Sequence, residues 1–436
     1  PGSALRSSII VGMSPFVFTT IFLILLGGSV VLQAWLSRRQ IRHVSGRREA
    51  VPADFAGQIS AENHAKAADY TCANERFDLV KLAIGTLVLL GWTLFGGLEA
   101  LNAWILPHTL EPLGVLGYQV ALVFAFSLIG GVIDLPFDWY SNFRIEERFG
   151  FNRMTIGLWV SDLVKNLIVS TLIGLPLIAV VLWLMGVAGS LWWLWAWVFW
   201  MSFNLLLLVI YPMFIAPLFN KFEPLQDEAL KQRVSTLMQR CGFSSRGLLV
   251  MDGSKRSAQS NAYFTGIGRS KRVVFYDTLL ARLTHGELEA VLAHELGHFH
   301  HKHIVKLIAQ TFIASLLALA ALGWLAEQEA FFLGLGVQQN AEAPNDALAL
   351  LLFSLSAPLA AFFIAPLMSV TSRRHEFEAD AYACDNASGA DLRSALLKLT
   401  EDNASTLTPE PLYARFYYSH PPMTERLAAL RLTPMH

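Results

Sequence analysis

Long apolar stretches constrain the fold of this chain more than any other feature. A hydrocarbon layer about 30 Å thick is crossed by about 20 apolar residues in helix. Seven stretches meet that length, near 9–36, 79–106, 114–137, 156–186, 190–218, 304–333 and 348–371. Hydrophobic residues fill 54% of the 436 positions and charged ones only 15%, a balance foreign to soluble domains. The fold class expected is therefore a mainly α, polytopic membrane protein with seven transmembrane helices. The first stretch is longer than the core of a cleavable signal peptide and runs into "RRQIRHVSGRR", so it is read as an anchor. Residues 1–8, opening "PGSALRS" without an initial Met, are read as an appended remnant.

Orientation follows from the basic residues, which are retained on the cytoplasmic side. The connections 37–78, 138–155, 219–303 and 372–436 hold nearly all the Lys and Arg, whereas 107–113, 187–189 and 334–347 hold none. The N-terminus is thus expected outside and the C-terminus in the cytoplasm. That membrane would be the cytoplasmic membrane of a bacterium, which the compact loops suggest, or the endoplasmic reticulum of a eukaryote. Segments 219–303 and 372–436 flank the last two spans and are expected to form one small α+β domain, leaving 9–218 and 304–371 to the membrane. A net charge of -1 provides no field for nucleic acid. Cys72, Cys241 and Cys384 are too dispersed for a disulfide framework or a thiolate cage. No internal repeat suggests the duplicated halves of a transporter. Asp134, Asp138, Asp162, Lys165, Asn166 and Asn204 lie in or near spans. They either face one another or a wet cavity, or sit at span ends in headgroup water.

The chemistry concentrates in "THGELEAVLAHELGHFHHKH", residues 284–303. Thr284 and Glu287 form a capping-box pattern, and Leu288, Val291, Leu292, Leu296 and Phe299 recur with helical spacing, so a helix begins near His285. His294 and His298, one turn apart, can share a metal ion, and Glu295 lies about 100° round the helix, placed to hold a metal-bound water. This is the HExxH pattern of zinc peptidases, although a histidine-rich helix end also suits a membrane surface. The metzincin extension needs Gly at 301 and His at 304, where this chain has His301 and Ile304. His301 is about 10.5 Å along the axis from His294, too far to share its ion. His300, His301 and His303 are left as capping, outer-shell or interfacial groups.

A catalytic zinc takes three protein ligands, and the third candidate lies beyond the last span in "SRRHEFEADAYA". On a helix there, Glu376 and Asp380 share a face while Glu378 points away. Glu376 completes a His2Glu set, and Asp380 is placed to accept the free N–H of a ligand histidine. The bland alternative is a solvated acidic face balanced by Arg373 and Arg374. Upstream, "GLLVMD", "SNAYFTGIG" and "KRVVFYD" read as short strands, the last two joined by a turn at 268–271. A substrate peptide can add to the edge formed by residues 261–265, or that segment is a structural hairpin without a ligand.

Together "AHELGHFHHKH", "SRRHEFEADAYA", "NAYFTG", "PLFNKFEPL" and "YYSHPPMTERLAAL" resemble, in order and membrane context, the type I CAAX prenyl endopeptidases, membrane zinc metallopeptidases of the gluzincin group. The resemblance implies seven helices around a water-filled chamber, one Zn2+ per chain, and a cytoplasmic zinc domain. It also implies His420 beside the site as an oxyanion donor, Arg426 paired with Asp380, and Asn261, Ala262 and Tyr263 at the substrate cleft. The expected partners are membrane lipid and a peptide or protein substrate, prenylated at its C-terminus or, for a quality-control protease, not prenylated. A metal-binding transporter is the alternative of another class, and it would tolerate Glu295→Gln.

Overall fold

The computed structural model describes residues 14–265 and 270–432. The start of the first predicted span, the remnant at 1–8, and residues 268 and 269 of the predicted turn lie outside them. In chain order the elements are α1 (Pro15–Ser45), α2 (Ala61–Trp92), α3 (Gly97–Tyr140), α4 (Ile156–Val187), α5 (Trp192–Ile210), β1 (Phe222–Pro224), α6 (Glu228–Arg240), β2 (Ser244–Met251), β3 (Ala262–Thr265), β4 (Ser270–Tyr276), α7 (His285–His300), α8 (His303–Leu325), α9 (Asp346–Asn386), α10 (Gly389–Asp402), α11 (Pro411–Tyr417) and α12 (Met423–Leu432), with short helical turns between some of them.

Among the described residues, six helices are long and apolar enough to cross a membrane: α1, α3, α4, α5, α8 and α9, of which α3 and α5 are prolonged by short helical turns. The count differs from the seven expected because the second predicted span, 79–106, is cut at 93–96. There Gly96 adopts φ +77°, which glycine does without steric penalty. The apolar run left in α2, from Leu79 to Trp92, covers only about 21 Å at 1.5 Å per residue. Its other half begins α3, which absorbs the predicted loop 107–113 and kinks at Gly114 (φ +70°). The boundary expected between 371 and 372 also differs, since α9 continues unbroken for 41 residues from the membrane span into the segment bearing Glu376 and Asp380.

Two separate cores hold the chain together. One gathers Phe22, Tyr118, Leu182, Leu322, Phe332 and Leu348, contributed by the long apolar helices and the turn after α8. The other joins Val234, Phe275, Leu288, Leu296, Leu392 and Leu427, and so unites the two segments expected to combine. It also recruits Phe55 and Ile59 from the connection between α1 and α2, a third contribution that no periodicity signalled. The sheet has the order β1-β2-β4-β3, with β2 parallel to β4 and the other pairs antiparallel. The three predicted strands are present, and β1 within "PLFNKFEPL" is additional.

The polar residues near the spans do not pair with one another. Asp162 accepts two bonds from Arg256, at 2.8 and 3.1 Å, tying α4 to the sheet domain. Asp138 accepts from the Trp159 indole, Lys165 donates to the Leu218 carbonyl, and Asn204 donates to the Trp200 carbonyl of its own helix. Asp134 and Asn166 are exposed.

Two backbone features place α7. Lys302, at φ +57°, ends it and lets the chain turn into α8, a conformation costly for a residue with a Cβ. At Gly297 the helix touches α9: a Cβ there would lie 3.0 Å from the Ala379 Cα and 3.2 Å from the Ala379 carbonyl oxygen. We expect Gly297→Val to force the helices apart and cost about 1–3 kcal/mol of stability, measured as a lowered denaturant midpoint in detergent. An unchanged midpoint would show that the crossing can relax.

Candidate metal centre

α7 begins with the expected capping box, in which the Thr284 hydroxyl accepts from the Glu287 N–H and the Glu287 carboxylate accepts from the Thr284 N–H. Glu287 is further fixed by Ser394 and Lys398 of α10. The helix is thus anchored at its start and pressed against α9 near its end. That pairing brings His294, His298 and Glu376 together, their ligand atoms all within 4.8 Å of one another. The His294 and His298 Nε2 atoms lie 3.3 Å apart, and Glu376 oxygens lie 3.6 and 3.4 Å from them respectively.

Proton assignment shows what this cluster needs. His294 Nδ1 faces the Asp380 carboxylate at 2.8 Å. A carboxylate only accepts, so Nδ1 carries the proton and the neutral ring turns a lone pair on Nε2 toward the cluster. His298 reaches the same state through an intermediary. Its Nδ1 is 3.0 Å from His303 Nδ1, and His303 Nε2 is 3.0 Å from the Glu378 carboxylate. With its Nε2 donating to that carboxylate, His303 accepts at Nδ1, so His298 donates there and bares its own Nε2. Two imidazole lone pairs and a carboxylate then converge, and although Arg426 Nη1 lies 3.6 Å from Glu376 Oε2, that buried oxygen has no hydrogen-bond partner. Three converging acceptors repel one another unless a cation sits among them, so the residues fit a metal ion.

The outer groups are arranged around this cluster. Arg426 of α12 binds both Asp380 oxygens, at 2.8 and 2.5 Å. Burial would lower the Arg426 pKa, but the bond and charge of Asp380 hold it above its ordinary value. Burial likewise lowers that of His298, and the negative charge of the adjacent Glu376 outweighs this and raises it. Glu295, half-buried, faces an open cavity of about 900 Å³ shared with His294, Glu376, Asn261, Ala262 and His420. His420 is exposed in this cleft, its Nε2 3.4 Å from Glu376. Tyr263 is not brought to the cavity, because alternation along β3 turns it to the opposite face of the sheet.

His301 caps α7, one of the roles expected for it, and His300 lies against Tyr382. Two features escaped the sequence reading. Glu378 does point away from Glu376, yet toward buried His303, whose ring also stacks on His375 at 3.8 Å. The far wall of the cavity comes from α2, through Tyr70, Thr71, Asn74 and Glu75, more than two hundred positions upstream of the histidines, where no local pattern signals it.

Comparison with known proteins agrees with this geometry. Residues 40–221 match the family model for the CAAX prenyl protease N-terminal region, described as five membrane helices, and residues 224–433 match peptidase family M48. CAAX prenyl protease 1 of Saccharomyces cerevisiae is 33% identical over 91% of this chain and 92% of its own length. The Homo sapiens homologue is 31% identical over 94% and 96%. The crystal structure of Ste24p from S. mikatae superposes with a TM-score of 0.88 at 30% identity, covering 95% of this chain and 99% of that one.

Outer-shell partners of metal-bound histidines typically change affinity 10–100-fold. Glu378→Gln is therefore expected to weaken metal binding by about that factor, read by competition with a chelator. An affinity within twofold of the parent would show that His303 alone fixes His298.

Proposed function

This chain belongs to peptidase family M48 and is a membrane metalloendopeptidase, and from that premise we propose that it uses zinc to cleave prenylated, CAAX-type polypeptides near their C-termini. The observation that supports this reading most is the convergence of His294, His298 and Glu376 beside Glu295 in an open cleft. A His2Glu donor set suits zinc, which when bound acidifies water and polarises a carbonyl.

The chain's own residues do the rest. Glu295 takes the proton of the attacking water and passes it to the leaving amine. His420 donates a hydrogen bond to the oxyanion as it develops, a task its exposed position in the cleft allows. Asp380, itself held by Arg426, fixes His294 as the Nδ1–H tautomer, and His303 with Glu378 does so for His298. The substrate lies alongside β3, one of the two edge strands of the described sheet, with Asn261 and Ala262 against the bond to be cut and main-chain pairing providing affinity.

The relatives named as CAAX prenyl proteases support the prenylated substrate. A prenyl chain partitions into bilayers because each buried CH₂ contributes about 0.8 kcal/mol, which explains a peptidase site built on the continuation of a membrane helix. The polar wall from α2 favours a second reading, in which unprenylated membrane polypeptides are also cut.

We further propose that α2 completes a seven-helix ring around a water-filled chamber, with the N-terminus outside and the sheet domain in the cytoplasm. Between 0% and 28% of the most apolar window in each of the six long helices is buried, less than a solid bundle would bury. Asp134 and Asn166 then face water instead of lipid, where they would be costly.

Two measurements test the chemistry. Glu295→Gln is expected to lower cleavage of a prenylated CAAX peptide by about 10²–10⁴-fold while keeping one zinc per chain, whereas undiminished cleavage would take the proton transfer away from Glu295, and bound zinc with no cleavage even by the wild type is what a transporter predicts. For the wild type, a prenylated peptide should be cut faster than its unprenylated twin, and equal rates would remove the lipid requirement.

A further inference from the structure

The face of the sheet turned away from the metal carries a second recess, of about 220 Å³. β3 pairs with β4 in the register Tyr263↔Val274 and Thr265↔Arg272, and β2 sets Leu249 beside Val274. Ala262 and Phe264 pack toward the α7 side, where Phe264 meets Phe299. Tyr263 and Thr265 therefore line the recess with Val274 and Leu249, and Pro212 to Pro217, the strap leaving α5, close it. Apart from Thr265, Arg272 and the Tyr263 hydroxyl its lining is apolar, and burial pushes the Tyr263 phenol up to about 12. The strap exposes Met213 and Phe214 at the end of a membrane helix.

We propose that this recess receives the prenyl chain of a substrate lying along β3. The inference rests on the substrate reading above. A peptide added to an edge strand sends alternate side chains to opposite faces of the sheet. One set points to the α7 face and the metal, and the other to this recess. In CAAX sequences the prenyl chain is carried by the cysteine, so one side chain of the substrate is a long hydrocarbon. The metal-side cavity is a mixed host, where Leu279, Val291 and Leu392 are interspersed with Thr71, Asn74, Glu75 and Gln259, so a hydrocarbon chain there would also bury polar groups. The recess is apolar, lies one residue along the strand from Ala262, and is closed by a strap whose exposed apolar residues open a path from the bilayer.

The test uses the full chain, zinc-loaded and in phospholipid nanodiscs, with a farnesylated CAAX peptide bearing a diazirine at the end of its isoprenoid. Irradiation is expected to label the strap around Met213 or residues Leu249 and Tyr263. Excess farnesylated peptide should suppress that labelling, and added phospholipid should not. Label confined to Tyr70, Asn74 or the lipid-facing helices, or label displaced by phospholipid alone, would overturn the proposal. As a second reading, Met213→Glu at the exposed strap should lower the preference for the farnesylated peptide over its unprenylated twin at least tenfold, and an unchanged preference would count against the recess. If the wild type cuts neither peptide the substrate reading itself fails, while the labelling pattern still reports where the isoprenoid binds.

Discussion

Between α7 and α9 position 297 carries no side chain, and a Cβ there would lie only 3.0–3.2 Å from the Ala379 backbone. That absence lets the 16-residue α7 lie against the far part of a 41-residue membrane helix, closely enough for His294 and His298 to meet Glu376. Packed interiors resist shifts of even one methylene, so the ligand geometry is set by backbone contact at Gly297 and Ala379 and not by flexible side chains. The metal cluster, the cleft beside it and the strand along it all take their positions from this crossing.

The electrostatics follow from the same crossing. His294 and His298 each have their proton drawn to the side remote from the cluster by a carboxylate of α9, Asp380 directly and Glu378 through His303. One helix thus supplies the carboxylate of the candidate centre and the groups that hold both imidazoles in the tautomer it needs. Outer groups of this kind orient metal ligands and raise their basicity. Because α9 also passes through the membrane, displacements of that span bear directly on the metal site.

Much of the site was legible in the sequence because its signals are local. The four-residue spacing of His294 and His298, the capping box at Thr284 and the shared face of Glu376 and Asp380 are properties of single helices, and the structure reproduces each of them. Less was legible where geometry between elements decides. The kink at Gly114 and the break at Gly96 redistribute two apolar runs that hydropathy alone divides into spans differently. Glu378 was placed on the correct side of its helix, but what waited there, His303, belongs to another helix. The wall contributed by Tyr70 and Glu75 carries no pattern of its own, and alternation along β3 turns Tyr263 to the face opposite its neighbour Ala262.

X-ray absorption at the zinc edge on the purified, metal-replete protein tests the central claim most directly. The account predicts one zinc per chain with two imidazole nitrogens near 2.0–2.1 Å and carboxylate oxygen near 2.0–2.2 Å, the oxygen contribution changing in Glu376→Gln. A spectrum without imidazole scattering, or one indifferent to Glu376, would contradict it.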